Sequence, residues 1–150
     1  MNTVKTIAAA ALALALGAAP AAMAGNKGCT SSSLTGSYAY KGTGTIVSPP
    51  EIAGPVDNVM VETFDGIGGL TAAGYLAQNG STSAVTATGK YSVNNDCTGT
   101  FTITYSLGFD STFYFVMDDT LSELQIICLD AGVVLDGVAR RQFSIGDWRQ

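Results

Sequence analysis

The segment from Thr98 to Leu107 alternates without a break between hydroxylated and apolar side chains. A strict period of two, built from β-branched and aromatic residues, is typical of a strand with one buried face. Upstream, Tyr91 and Val93 alternate with polar residues, and Asn94-Asn95-Asp96 lies between the two segments. Asparagine and aspartate tolerate left-handed backbone and bond locally to it. We therefore predict a β-hairpin, with Cys97 at the start of its second strand.

Similar strand-like segments recur along the chain, separated by turns rich in glycine, proline, asparagine and aspartate. The predicted strands cover residues 36–47, 56–64, 70–78, 83–93, 98–107, 112–117, 123–129 and 133–143. Short antiparallel strands must protect their edges, and closure into a barrel does so. We predict an all-β fold, a single antiparallel meander of about eight strands closed into a small barrel. A two-sheet sandwich is the alternative.

The first 24 residues have the features of a secretory signal peptide. Lys5 supplies a positive start, residues 7–19 form an apolar run, and Ala22-Met23-Ala24 is a small-residue cleavage site. We predict cleavage after Ala24, export to the periplasm or the medium, and a single β-barrel domain over residues 25–150.

The chain has no histidine, and its seven basic residues against twelve acidic ones give a formal net charge of −5. The lack of histidine removes the serine–histidine triad and most zinc and copper sites. An acidic chain without a basic stripe argues against nucleic acid and anionic lipid as partners. Asp118, Asp119 and Glu123 match no complete calcium loop. We expect no metal, no cofactor, no nucleic-acid partner and no membrane insertion, while the oligomeric state stays open.

Three cysteines allow one internal disulfide and leave one thiol over. Cys29 and Cys97 each precede a predicted strand in polar surroundings, whereas Cys128 lies inside an apolar strand. We predict a Cys29–Cys97 disulfide, which would stabilise the fold by about 3–4 kcal/mol on the chain-entropy model. Cys128 is then a buried free thiol that behaves as a small hydrophobe.

Several motifs stand in a fixed order along the chain: 34–38 (LTGSY), 64–68 (FDGIG), 89–100 (GKYSVNNDCTGT) and 137–142 (GVARRQ). In this order the chain resembles a group of small exported bacterial proteins of mostly unassigned function, with lipocalin-like or allene-oxide-cyclase-like barrels. The resemblance implies a cysteine before the first strand that accompanies the cysteine of the hairpin. Cys128 departs from the group's pattern, as does the long tail over residues 143–150.

Aromatic residues at alternating strand positions are the candidate ligand-binding set. They are Tyr38, Tyr40, Tyr91, Phe101, Tyr105, Phe113 and Phe115. Lining an interior, they would stack on a flat or apolar ligand, and tyrosine hydroxyls would fix its orientation. The alternative is that they only fill the core.

Glu62 is the candidate catalytic residue if the protein is an enzyme. A carboxyl group that points into a dry barrel has a raised pKa and can transfer a proton. Alternation allows Glu62 to point outward equally well, and the outward orientation is the one we favour from the sequence.

Three hypotheses for function follow. The first, which we favour, is an exported module that binds a small apolar or aromatic molecule inside the barrel. The second is an isomerase or cyclase, as the resemblance to allene oxide cyclase implies. The third is a structural or surface protein that self-associates through its strand faces or an open edge.

Overall fold

The computed structural model of the chain describes residues 28–142. The predicted signal peptide and the tail from residue 143 lie outside the described residues. Eight strands follow one another in chain order: β1 (Thr35–Ile46), β2 (Gly54–Asp65), β3 (Gly69–Gln78), β4 (Ser81–Val93), β5 (Thr98–Tyr105), β6 (Asp110–Met117), β7 (Glu123–Cys128) and β8 (Val133–Arg141). Two short 3₁₀ turns, Ser31–Ser33 and Pro50–Ile52, precede β1 and β2.

The eight strands form one antiparallel meander that closes on itself. Closure comes from the pairing of β1 with β8, in a register that runs from Tyr38 opposite Arg141 to Ile46 opposite Val133. The predicted barrel is therefore confirmed over the sandwich. Every strand from β1 to β8 has two partners, so the described barrel has no open strand edge. Self-association through an open edge is therefore excluded for these strands, and association through strand faces remains.

The predicted hairpin is confirmed, and the strand ends of the barrel differ from the predicted ones by up to two residues. β5 ends at Tyr105, and Leu107 lies in the following turn, 52 % exposed, rather than on the buried face. β2 begins at Gly54, two residues before the predicted strand, because Pro55 is exposed and takes a pairing position opposite Thr45.

Interior glycines let the strands bend tightly enough to close the barrel. A Cβ at Gly44 of β1 would collide with the carbonyl oxygen of Val134, and a Cβ at Gly74 of β3 would collide with that of Val59. Glycine kinks of this kind allow neighbouring backbones to approach closely in curved sheets.

One end of the barrel is closed by aromatic side chains and by the chain segment before β1. The Phe64 ring makes edge-to-face contacts with Tyr38, Tyr91 and Phe101, at centroid distances of 5.5, 5.2 and 6.3 Å. The Tyr91 hydroxyl donates to the carbonyl of Leu34 at 2.8 Å, and Leu34 is completely buried. This end is therefore packed solid.

The Cys29–Cys97 disulfide fastens the same end and confirms the predicted pairing. It links the segment before β1 to the start of β5, across 68 residues of sequence. Cys128 is free and buried, also as predicted. Structural disulfides of this kind are typical of proteins in oxidising compartments. Within residues 28–142, no helix has the length and apolar character to cross a membrane.

Candidate functional site

The opposite end of the barrel is hollow. A cavity of about 390 Å³ lies where β1, β3, β5 and β7 end, among the loops that join them to the next strands. Its walls are mainly apolar and include Ile46, Val56, Leu76, Phe113, Val133 and Leu135. The β1–β2 loop forms part of its rim and is held in place by a hydrogen bond of 2.6 Å from the Gln78 amide to the carbonyl of Ile52. The barrel is therefore filled with side chains at the end that carries the disulfide and open at the opposite end. We call the open half, with its cavity, the cup.

The mouth of the cavity is acidic. Asp110 and Asp130 are the charged residues on its lining, and no lysine or arginine of the described chain joins them there. Asp130 also accepts a hydrogen bond from the backbone N–H of Thr112 at 3.0 Å, which fixes its carboxylate beside β6. The cavity therefore presents negative charge to an approaching molecule.

Unpartnered polar atoms lie at the inner end of the cavity. Asn58 is 3 % exposed, lines the cavity, and its Oδ1 atom is buried without a hydrogen-bond partner. The hydroxyl oxygen of Tyr40 is buried and unpartnered in the same way. Both side chains occupy the space above Gly42, where the missing Cβ leaves room for them. A buried polar group without a hydrogen-bond partner lowers the stability of the folded protein. The Asn58 and Tyr40 oxygens therefore indicate a binding position for another molecule or for water.

Glu62 points into the barrel, so the outward orientation favoured from the sequence is wrong. It is 2 % exposed, and its Oε2 atom has no hydrogen-bond partner. The physical reason is the parity of β2: Val56, Asn58, Met60, Glu62 and Phe64 share the buried face, which leaves Val59 and Val61 outside.

Burial shapes the ionisation of the groups around the inner end. It raises the pKa of Glu62 to about 8, and no cation of the described residues opposes the shift. Burial, and after it the charge of Glu62, raises the pKa of Tyr40 and Tyr105. Tyr105 lines the cavity, so the Glu62 carboxyl lies within electrostatic reach of the cavity although it is not part of the wall.

The seven predicted ligand-binding aromatics are all buried, but the structure divides them between the two halves of the barrel. Tyr105 and Phe113 line the cavity, and Tyr40 brings its hydroxyl to the inner end. The other four belong to the packed interior: Tyr38, Tyr91, Phe101 and Phe115. Tyr38 has a separate role there, since its hydroxyl accepts hydrogen bonds from Arg141 and donates to the carbonyl of Leu121.

Cys128 also lines the cavity. Burial raises the pKa of its thiol, and the neighbouring Asp130 carboxylate adds to the rise. The thiol is therefore held in the neutral form, which is a poor nucleophile. Its place in the wall is that of a small hydrophobe.

A second depression, of about 380 Å³, lies on the outer face of β1 and β8. Outward side chains, Lys41 and Arg140 among them, form its border. Arg140 forms an ion pair with Glu123 at 2.7 Å. This depression is a shallow surface groove, and none of the unpartnered buried atoms described above lines it.

Asn58 is the residue of the inner end that sequence reasoning missed, as it missed Asp110 and Asp130 at the mouth. It is the one amide on the buried face of β2, two positions from Met60 and four from Glu62. A signal was present, because a polar residue of the same parity as Phe64 is unusual on a strand face that must fill a core.

No protein-family model matches the chain, and no curated protein matches it. Among solved structures, the chain is similar to that of a redesigned β-barrel, with a TM-score of 0.52 and 19 % sequence identity. The similarity covers 75 % of this chain and 95 % of the redesigned one. At that identity it shows the fold alone, a small closed β-barrel. The resemblance to lipocalin-like or allene-oxide-cyclase-like exported proteins stays a prediction.

Proposed function

We propose that this protein is an exported binding module that holds a small, mainly apolar molecule in the open half of its barrel. The observation that carries the proposal is the cavity itself: about 390 Å³ of space with apolar walls above a solid base. Small-molecule sites are concave, largely apolar, about 300–1,000 Å³ in volume, and carry a few convergent polar groups. Asn58 and Tyr40 are the convergent polar groups here.

The proposal is tested with two matched substitutions on β2. Val56 is buried and lines the cavity, whereas Val59 is 59 % exposed on the outer face of the same strand. Val56→Phe places a ring inside the cavity, and Val59→Phe adds the same ring outside. The probe is N-phenyl-1-naphthylamine, a neutral apolar fluorophore whose emission rises when it leaves water. We expect the wild-type protein and V59F to bind it with equal affinity and V56F to bind at least about tenfold more weakly.

Native mass spectrometry of protein purified from its own compartment gives the second readout. Extra mass that vanishes on unfolding would identify a trapped ligand by its formula, and that mass should be lost in V56F but kept in V59F. Equal binding by the two variants would show that the probe sits outside the barrel and would contradict the proposal. Folding of V56F is checked by circular dichroism, and a smaller filling substitution, Val56→Ile, gives a graded second test.

A second candidate function, an isomerase or cyclase, draws support from the inward position of Glu62. Its raised pKa, about 8, suits a carboxyl group that exchanges a proton near neutral pH. The test compares the small molecules that co-purify with the wild-type protein and with Glu62→Gln. Catalysis predicts that E62Q retains an isomer with the same formula and a different chromatographic retention. Binding alone predicts the same molecule in both.

A further inference from the structure

We propose that the inner end of the cavity is a site for a protonated amine, so that the ligand is a cationic amphiphile with its apolar body in the cup. The hydrogen-bond acceptors are the Asn58 Oδ1 atom and the Tyr40 hydroxyl oxygen, and the Glu62 carboxylate below them supplies the opposite charge. The inference rests on the proposed binding function and names the class of ligand.

The charge of the cavity is negative. Asp110 and Asp130 stand at its mouth and Glu62 lies beneath its inner end, while no lysine or arginine of the described chain lines it. A low-dielectric cavity whose ionisable groups have one sign attracts ligands of the opposite sign. A carboxylate ligand would meet the charges of Asp110 and Asp130 at the mouth and would find no cation of the described residues along the cavity wall, so an anionic amphiphile is disfavoured and a cation is favoured.

The buried polar atoms that lack a partner can all accept hydrogen bonds. Asn58 Oδ1 and Glu62 Oε2 are oxygen acceptors, and the Tyr40 hydroxyl oxygen also accepts. All three are buried, so bulk water does not satisfy them. An ammonium group beside the shared space above Gly42 would donate to Asn58 Oδ1 and to the Tyr40 hydroxyl oxygen, whereas Glu62, two inward positions further along β2, would act through its charge. Hydrogen bonds to charged groups contribute about 1.5–3 kcal/mol each, more than neutral ones.

The proton on Glu62 links binding of a cation to pH. With a pKa of about 8, the carboxyl group of the empty barrel is mainly protonated at pH 7. A bound ammonium group stabilises the carboxylate, so binding should release a proton to solvent at neutral pH. The other titratable groups of the described residues that face this interior are Tyr38, opposite Glu62 in the β1–β2 register, and Tyr40, Tyr105 and Cys128. The pKa values of Tyr40, Tyr105 and Cys128 are raised, so these three groups stay neutral in this pH range. Proton release that is lost in Glu62→Gln therefore reports on Glu62.

The experiment is isothermal titration of the full chain with octylamine, 1-octanol and sodium octanoate, which share one apolar tail and differ in the head group. Each titration at pH 7 is run in two buffers of different ionisation enthalpy, which gives the number of protons released. We expect octylamine to bind at least about tenfold more tightly than octanol, with octanoate weakest. Octylamine binding should release about one proton at pH 7 and almost none above pH 9.

Three variants locate the effect. Glu62→Gln should abolish the proton release and reduce the ratio of octylamine to octanol affinity to near one. Tyr40→Phe removes one acceptor without changing the shape of the wall and should lower the same ratio severalfold. Asp57→Asn, a substitution of an exposed carboxylate on the outer face of β2, should leave both quantities unchanged. Y40F leaves Glu62 in place. If E62Q does not fold, the octylamine-to-octanol affinity ratio of Y40F still tests the amine site.

The titrations distinguish a failure of the amine site from a failure of the proposed binding function. Equal affinities for octylamine and octanol, or proton release that persists in E62Q, would overturn the amine site. If V56F still weakened binding in that case, the binding module itself would remain supported. Tighter binding of octanoate would overturn it in the same way. No binding of any of the three compounds, together with no binding of the neutral fluorophore, would overturn both proposals.

Discussion

Asn58 and Tyr40, on neighbouring strands, share the space that a side chain at Gly42 would fill. A Cβ at Gly42 would lie 2.6 Å from the Oδ1 atom of Asn58 and 2.7 Å from the Cζ atom of Tyr40. Gly42 is paired with Asn58 across β1 and β2 and with Gly137 across β1 and β8. The glycine on the inner face of β1 is therefore what allows two polar side chains to meet at the inner end of the cavity.

Gly42→Ala should displace both side chains and strain the packing around them. Overfilling a well-packed interior costs about 1–3 kcal/mol of unfolding free energy, and we expect a loss in that range. Thr43→Ala, at the next, outward-facing position, should stay within about 0.5 kcal/mol of the wild type. Urea denaturation measures both. A G42A protein as stable as T43A would contradict the tight contact above Gly42.

The ionisation of Glu62 should make the free energy of unfolding depend on pH. Burial raises the pKa of this carboxyl group in the folded protein to about 8, from 4.5 without burial. Between these values the folded state keeps a proton that the unfolded state releases, so stability falls as pH rises, by up to about 1.4 kcal/mol per pH unit. Below about pH 4.5 both states hold the proton and this contribution is constant.

Glu62→Gln removes that ionisation, so its stability advantage over the wild type should grow from pH 5 to pH 8. Denaturation midpoints at four pH values measure the trend, with Glu51→Gln as the control for an exposed carboxylate. Parallel pH profiles for E62Q and the wild type would show that Glu62 is solvated in the folded protein.

The disulfide should contribute more to stability than the free thiol does. A bridge across 68 residues stabilises by about 4 kcal/mol when its effect on the unfolded chain is counted. The double variant Cys29→Ser, Cys97→Ser should lose about that much in denaturant unfolding. Cys128→Ala, in contrast, should change stability little beyond the loss of one small buried side chain. An unchanged midpoint in the double variant would show that the two cysteines are not bonded in the folded protein.

The packed end of the barrel depends on the hydroxyl of Tyr91. It donates to the carbonyls of Leu34 and Ser31, at 2.8 and 3.1 Å, and so joins β4 to the segment that covers this end. Tyr91→Phe leaves the buried carbonyl of Leu34 without that donor, and we expect a loss of about 1–3 kcal/mol. Tyr75→Phe is the matched control, because Tyr75 is 62 % exposed on the outer face. Thermal unfolding of the two variants compares them, and equal stability would contradict the role of the hydroxyl.

Much of the fold follows from local rules that the sequence displays. The alternation from Thr98 to Tyr105 defines a strand and its dry face, and Asn79-Gly80 marks a reversal because both residues adopt left-handed backbone there. The contrast between Cys29 and Cys97, in polar surroundings, and Cys128, in an apolar strand, was enough to indicate the disulfide. These patterns depend on neighbouring residues in the sequence, so they can be interpreted without knowing what each strand packs against.

The tertiary structure alone decided which face of β2 turns inward and which half of the barrel is hollow. Alternation separates Val59 and Val61 from Asn58 and Glu62, but it does not say which set is buried. Compared as two pairs, the valines are the more hydrophobic, although apolar residues with the parity of Asn58 and Glu62 complete the buried face: Val56, Met60 and Phe64. The choice is made by register: Phe64 packs against the aromatic base, and a period of two then carries Asn58 and Glu62 to the interior. The sequence thus determined an antiparallel meander of about eight strands, whereas contacts between distant strands closed it into a barrel and placed a polar site inside.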